Sequence, residues 1–173
     1  VIMATLALPA FNSIARAGGL NRGGQTLGDV IVLARQEAVS KNRDVEVRII
    51  ALNDPVLPGY RALQLWVGDE AGANFNPLGK IQKLPDGVVI ASNSLSLLLD
   101  ADTNVGGTAI FGGLGSLPYK GFRVRAGGTL PAAVTMTNNF LSVQLARDAG
   151  NPLANFYTVR VNPVTGRVTT HRP

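Results

Sequence analysis

The chain has 173 residues and a net charge of +5, from 16 Lys and Arg against 11 Asp and Glu, which is enough length for one domain with a real core. It has no cysteine and a single histidine, His171, so disulfides, thiolate metal sites and thiol nucleophiles are excluded, and a His-rich metal site or a Ser-His-Asp triad has almost nothing to be built from. The basic residues are scattered and not interleaved with aromatics, so the charge reads as a solubilising surface and not as a nucleic-acid footprint.

The first element is an apolar run. Val1 to Ala15 contains no charged residue, and the first charge is Arg16. No stretch reaches the roughly 20 consecutive apolar residues that span a bilayer, and no basic segment precedes the run as in a signal peptide. It reads as the remaining part of a longer or processed apolar segment. Val1 to Leu8 is apolar on every side, which suits lipid or other helices. Pro9 then removes a backbone donor and predicts a kink or an end. Gly18-Gly19 and Gly23-Gly24 follow, each glycine costing about 1 kcal/mol against alanine in a helix, so 18–24 is expected to be an extended or hinged stretch.

From Gln25 the helical period strengthens. Leu20, Leu27, Val30, Ile31, Ala34 and Ala38 share one face, with Arg22, Gln25, Asp29, Gln36 and Ser40 opposite. Lys41-Asn42-Arg43 closes the helix with favourable charge at its C-terminus. The expected organisation is a helix over 1–43, comprising an apolar stem 1–15, a hinge 18–24 and an amphipathic half 25–43, and then a β domain over 44–173.

After Asp44 the period becomes two. Val45, Val47 and Ile49 alternate with Glu46, Arg48 and Ile50 as a half-buried strand. Residues 61–67 read as a second strand after Pro55 and Pro58-Gly59. Residues 80–84 and 88–92 flank Pro85-Asp86-Gly87 as a hairpin. Residues 100–117 read as Gly-rich and irregular. Short strands are expected over 122–125, 140–146, 156–161 and 167–171, the last two joined by a turn at 162–166. One helix followed by antiparallel strands is an α+β layout, a helix packed on an antiparallel sheet or sandwich.

Motifs for chemistry fail in turn. Asp100-Ala-Asp102-Thr-Asn104 opens like a calcium loop, but Val105 and Phe111 stand where an EF-hand needs Gly and Glu. A solvated turn or a looser calcium loop remains. Gly79-Lys80 lacks the remainder of a P-loop, and Gly112-Gly113-Leu-Gly115 lacks the third glycine of a dinucleotide fingerprint. Asp69-Glu70 and Asp100/Asp102 sit in turn-like sequence, where solvated charge is the ordinary case. His171 reads as an exposed strand residue, and Trp66 as core, with sugar stacking the minority alternative. No catalyst, metal or cofactor is expected.

An apolar stem, a proline within it, an amphipathic continuation and an antiparallel β domain together resemble the type IV pilin and pseudopilin superfamily. Ala7-Leu-Pro-Ala-Phe11 carries the likeness in the stem. Leu33 to Val39, with Asn42-Arg43, looks like the minor pseudopilin H group. Over most of the chain the sequence resembles the Verru_Chthon cassette protein D family, through Asn42 to Arg48, Tyr60 to Leu65, Pro77 to Lys80 with Leu84-Pro85, and Thr165 to Val168 with Arg172-Pro173. The resemblance implies a structural subunit, anchored in the inner membrane before assembly and part of a pilus-like or secretion-type filament afterwards. Its partners would be other pilin-like subunits, and no nucleic acid. It implies further that the prepilin-peptidase site and the methylated mature N-terminus lie ahead of Val1. Val1, Ile2, Met3, Leu6, Leu8, Pro9, Phe11 and Ile14 would carry anchoring and assembly, and loops 68–78 and 100–117 would face neighbours or cargo. The competing expectation is a secreted β-sandwich module that binds carbohydrate or another ligand.

Overall fold

The computed structural model describes residues 3–92, 94–148 and 155–172, with residues 3–17 described by backbone alone. Helix α1 runs Met3–Lys41. The strands are β1 Val45–Leu52, β2 Gly59–Gly68, β3 Phe75–Lys83, β4 Val88–Ile90, β5 Gly106–Phe111, β6 Gly115–Val124, β7 Phe140–Leu145, β8 Phe156–Val161 and β9 Val168–His171, with a short helix α2, Leu98–Ala101, before β5. They form one antiparallel sheet in the order β5-β6-β1-β2-β4-β7-β8-β9, with β3 sharing the β2 edge with β4. The fold is α+β: an N-terminal helix laid on a large antiparallel sheet.

The apolar stripe of α1 is the centre of the core. Leu20, Leu27, Val30, Ile31, Ala34 and Ala38 are all buried and pack with Val45, Val47 and Ile49 of β1, Leu63 of β2 and Val143 of β7. Each fully buried Leu or Ile on this face contributes about 1.5–3 kcal/mol of apolar transfer. The helix ends where Asn42 turns left-handed (φ 50°). The Arg43 N–H donates to the Ala38 carbonyl (3.1 Å) and the Asn42 N–H to the Val39 carbonyl (3.3 Å). This is a Schellman cap, with asparagine in the place glycine usually takes.

The stretch expected to be extended or hinged is helical. α1 continues through Pro9 and through all of 18–24 as helix. The glycines serve close packing instead. A Cβ at Gly23 would stand 2.8 Å from Val88 Cγ1 and 3.2 Å from Val143 Cγ1, and one at Gly24 would overlap the Tyr157 ring. Bare backbone there lets the helix approach β4, β7 and β8 more closely than side chains allow, and packing outweighs the propensity cost.

Three strand expectations also change. Residues 106–111 and 115–124 are a hairpin, β5–β6, with an unshifted register from Gly106↔Lys120 to Phe111↔Gly115 and Gly107 and Gly115 at positive φ, where irregular chain was expected over 100–117. Residues 75–79 belong to strand β3 and not to a loop. The Pro85-Asp86-Gly87 turn does not join a paired hairpin, because β3 and β4 both pair with β2. The β8–β9 hairpin forms as expected, its turn held by Asn162 Oδ1, which accepts from the N–H groups of Val164 (3.0 Å) and Thr165 (2.9 Å).

Strand β1 is buried on both faces from Val45 to Ile50, where alternation predicted one. Its second face lies under a polar and aromatic layer. Glu46 Oε2 accepts from Arg48 Nε (2.8 Å) and Nη2 (2.7 Å), while Oε1 accepts from Arg123 Nη2 (3.0 Å). The Arg48 guanidinium lies 3.9 Å from the centre of the Trp66 indole and 4.5 Å from that of the Tyr119 ring. Phe111 packs edge-on to both rings. With Ile50, Ala62 and Leu117, Phe111 makes a second, smaller core.

Candidate assembly surface

The residues expected to pack the helix on the sheet are brought together there. Those expected to carry the stem are not placed: Val1 and Ile2 lie outside the described residues, as do the side chains of Met3, Leu6, Leu8, Pro9, Phe11 and Ile14, although the backbone from Met3 is helical. No helix, among the described residues, is long and apolar enough to cross a membrane.

The helix also shows an apolar outer face that its main period does not mark. Val32, Leu33 and Val39 are 41%, 45% and 52% exposed. Three large apolar side chains lie here among polar neighbours, on a helix whose stripe is already satisfied by the sheet. Leu33 also lines a groove of about 380 Å³ between α1 and the β2–β3 pair, with Val30, Leu63, Leu65 and Leu78 as its apolar wall and Asp29 and Lys80 at its rim. The groove opens where the β2–β3 register shifts between Leu63 and Leu65. Gly79 takes φ 76° there, and its carbonyl accepts from Gln64 Nε2 (3.2 Å). The signal available in sequence was the run Val32-Leu33, off the main stripe by one and two positions.

The candidate chemical residues are occupied structurally. Asp102, 2% exposed, accepts from the backbone N–H of Arg123 (3.1 Å) and from Asn104 N and Nδ2 (both 3.3 Å). Asp100 instead bonds Lys120, so the two carboxylates of the run turn to different partners and do not converge on a common cation. The Asp100 contact holds the Lys120 ammonium above its ordinary pKa. Asp69 is kept below the usual carboxylate range by the Asn74 amide and the Ala73 N–H, and Asp54 by the N–H groups of Val56 and Leu57. These are the marks of carboxylates that organise turns. Trp66 has Arg48 over its ring and donates its indole N–H to Gln64 Oε1 (3.1 Å). His171 is exposed on β9.

The structure is thus a long helix whose C-terminal half lies with one face on an antiparallel sheet. The minor pseudopilin EpsH from the type 2 secretion system of Vibrio cholerae has this fold. One EpsH structure superposes with a TM-score of 0.52 over 89% of this chain and 97% of its own, at 13% identity. A crystal structure of the same protein gives 0.55 over 90% and 95%, at 14% identity. The sequence matches no family model and no curated protein.

Proposed function

We infer that the chain is a pilin-like structural subunit, divided into a helix over 1–43 and a β head over 44–173. Its N-terminal helix anchors it in the inner membrane and assembles it into a pilus-like or secretion-type filament. The observation that carries this reading is the contrast in composition and burial along α1. The described buried residues of the helix run from Leu20 to Ala38, and ahead of them stands a run with no charge from Val1 to Ala15. The first set packs in the core of the head. The second is the composition that lipid or a bundle of like helices accepts, so apolar surface passes from bilayer to filament core during assembly. The likeness in fold to a minor pseudopilin, over about nine-tenths of the chain, supports the same reading. In a filament the head offers Val32, Leu33 and Val39 on its helix to the neighbouring subunit. The subunit is not an enzyme in this reading; its candidate acids are bound into turns.

A charge in the stem tests it. Leu6→Asp adds on the order of 3 kcal/mol to insertion. It is expected to move the protein from the membrane pellet to the soluble fraction, with the thermal transition of the head unchanged. An unchanged partition counts against the stem as an anchor.

A further inference from the structure

Among the described residues the sheet has three open edges, on β3, β5 and β9. An open edge is a row of backbone donors and acceptors that accepts another strand unless something blocks it. β3 is blocked: it carries Pro77, the irregularity at Gly79 and the lysines Lys80 and Lys83. β9 is four residues long and lies between Arg167 and Arg172, the latter bonded to Asn21 of α1 (2.8 Å). β5 has no such device. Its one irregularity is Gly107 at φ 134°; it contains no proline, charge or register shift, and no charged residue occurs between Asp102 and Lys120. Ile110, 77% exposed, stands on it.

The direction of its backbone groups can be read from β6. Arg123 gives its N–H to Asp102, in the segment that leads into β5. Backbone polarity alternates along a strand, so Tyr119 and Leu117 also face β5, while Pro118 and Lys120 face β1. Pro118, which has no N–H to give, lies just past the end of the β1 pairing at Ile50↔Tyr119. Gly107 and Ala109, opposite Tyr119 and Leu117, therefore spend their backbone groups on β6. Gly106, Thr108 and Ile110 turn theirs outward.

We propose that β5 is a self-complementary edge on which a second copy of this chain docks antiparallel, about a two-fold axis at Thr108. That register pairs Thr108 with its own copy and Gly106 with the partner copy's Ile110. Every outward N–H and C=O then meets one of opposite kind. The side chains of Thr108 and Ile110 lie on one face, away from buried Phe111. Ile110 gains the space left by glycine, and the two threonines meet as a cross-strand pair. A second copy is favoured over a charged partner because two-fold pairing sets like beside like, and this strand has no charge to repel itself. The contact is small for a stable dimer, so it acts between copies already held close. It goes beyond the filament reading: stem assembly through residues 1–15 neither requires nor forbids it.

The absence of cysteine makes the test clean. In a hydrogen-bonded antiparallel pair the Cα atoms stand about 5.5 Å apart, within disulfide reach. Two copies of position 110 would stand about 14 Å apart along the strands. Full-length Thr108→Cys, Ile110→Cys and Thr170→Cys variants are oxidised mildly and disulfide dimers are followed on non-reducing gels. The expected result is a dimer from Thr108→Cys roughly tenfold faster than from either other variant, as the spacing requires. Equal rates at the three positions would indicate association through the stem or by chance, and would overturn the proposal. So would a Thr108→Cys chain that remains monomeric at its highest soluble concentration.

Discussion

Glu46→Ala is expected to lower folding stability by about 3 kcal/mol, the scale for removing one partner of a buried ion pair. The Glu46 side chain is 4% exposed and Arg48 10%, with Arg123 at 26%. Its carboxylate accepts three hydrogen bonds from the two guanidiniums. Alanine leaves Arg48 held between Trp66 and Tyr119 with no counter-charge. For a chain of this length the loss corresponds to a fall in Tm of about 6–12 °C. The loss comes from stranding a charge, so replacing both partners by apolar residues is less harmful. Glu46→Leu with Arg48→Met is expected to recover part of the deficit in chemical denaturation. If the double variant is as unstable as the sum of its parts, the pair is not coupled as its geometry requires.

Gly24→Ala is expected to destabilise by about 1–3 kcal/mol, the range for overpacking a tight site. On an exposed helix the same change would stabilise by about 1 kcal/mol. The opposite sign follows from the Tyr157 ring, which occupies the place of the added Cβ. The measurement is therefore a cycle: in a Tyr157→Ala background the loss from Gly24→Ala should vanish or reverse. A loss of unchanged size would show that the glycine matters for some reason other than its approach to β8. In the proposed filament reading, this contact fixes how the helix sits on the head.

The same two sites show why the sequence was legible in some places and not in others. The stripe from Leu20 to Ala38 can be read because a helix repeats its period over many residues, and one buried face leaves a plain mark. The α+β layout follows from the change of period at Val45. Gly23 and Gly24 could not be read correctly, since propensity sees a local cost while Val88, Val143 and Tyr157 set the benefit from far along the chain. The β5–β6 hairpin was hidden because Gly106, Gly107, Gly112, Gly113 and Gly115 carry no side-chain alternation to read. Pro85-Asp86-Gly87 announces a reversal but not the partner of each strand, and here both flanking strands choose β2. β1 reads as half-buried because Glu46 and Arg48 are charged, yet pairing and aromatic stacking bury them.

On the candidate surface, the expected helix-to-sheet residues were legible for the same periodic reason. Val32, Leu33 and Val39 were not, because a short off-stripe apolar set leaves no period of its own. The edge of β5 becomes visible only with the sheet order in hand.

The proposed role of the N-terminal helix is to make this protein an envelope-anchored filament subunit. Its most direct test is cell-envelope fractionation of the full-length native protein, with mass spectrometry of the mature N-terminus. The expected result is a trimmed and methylated N-terminus in inner-membrane or sheared-filament fractions. A soluble protein cut by ordinary signal peptidase just ahead of the β head would contradict it.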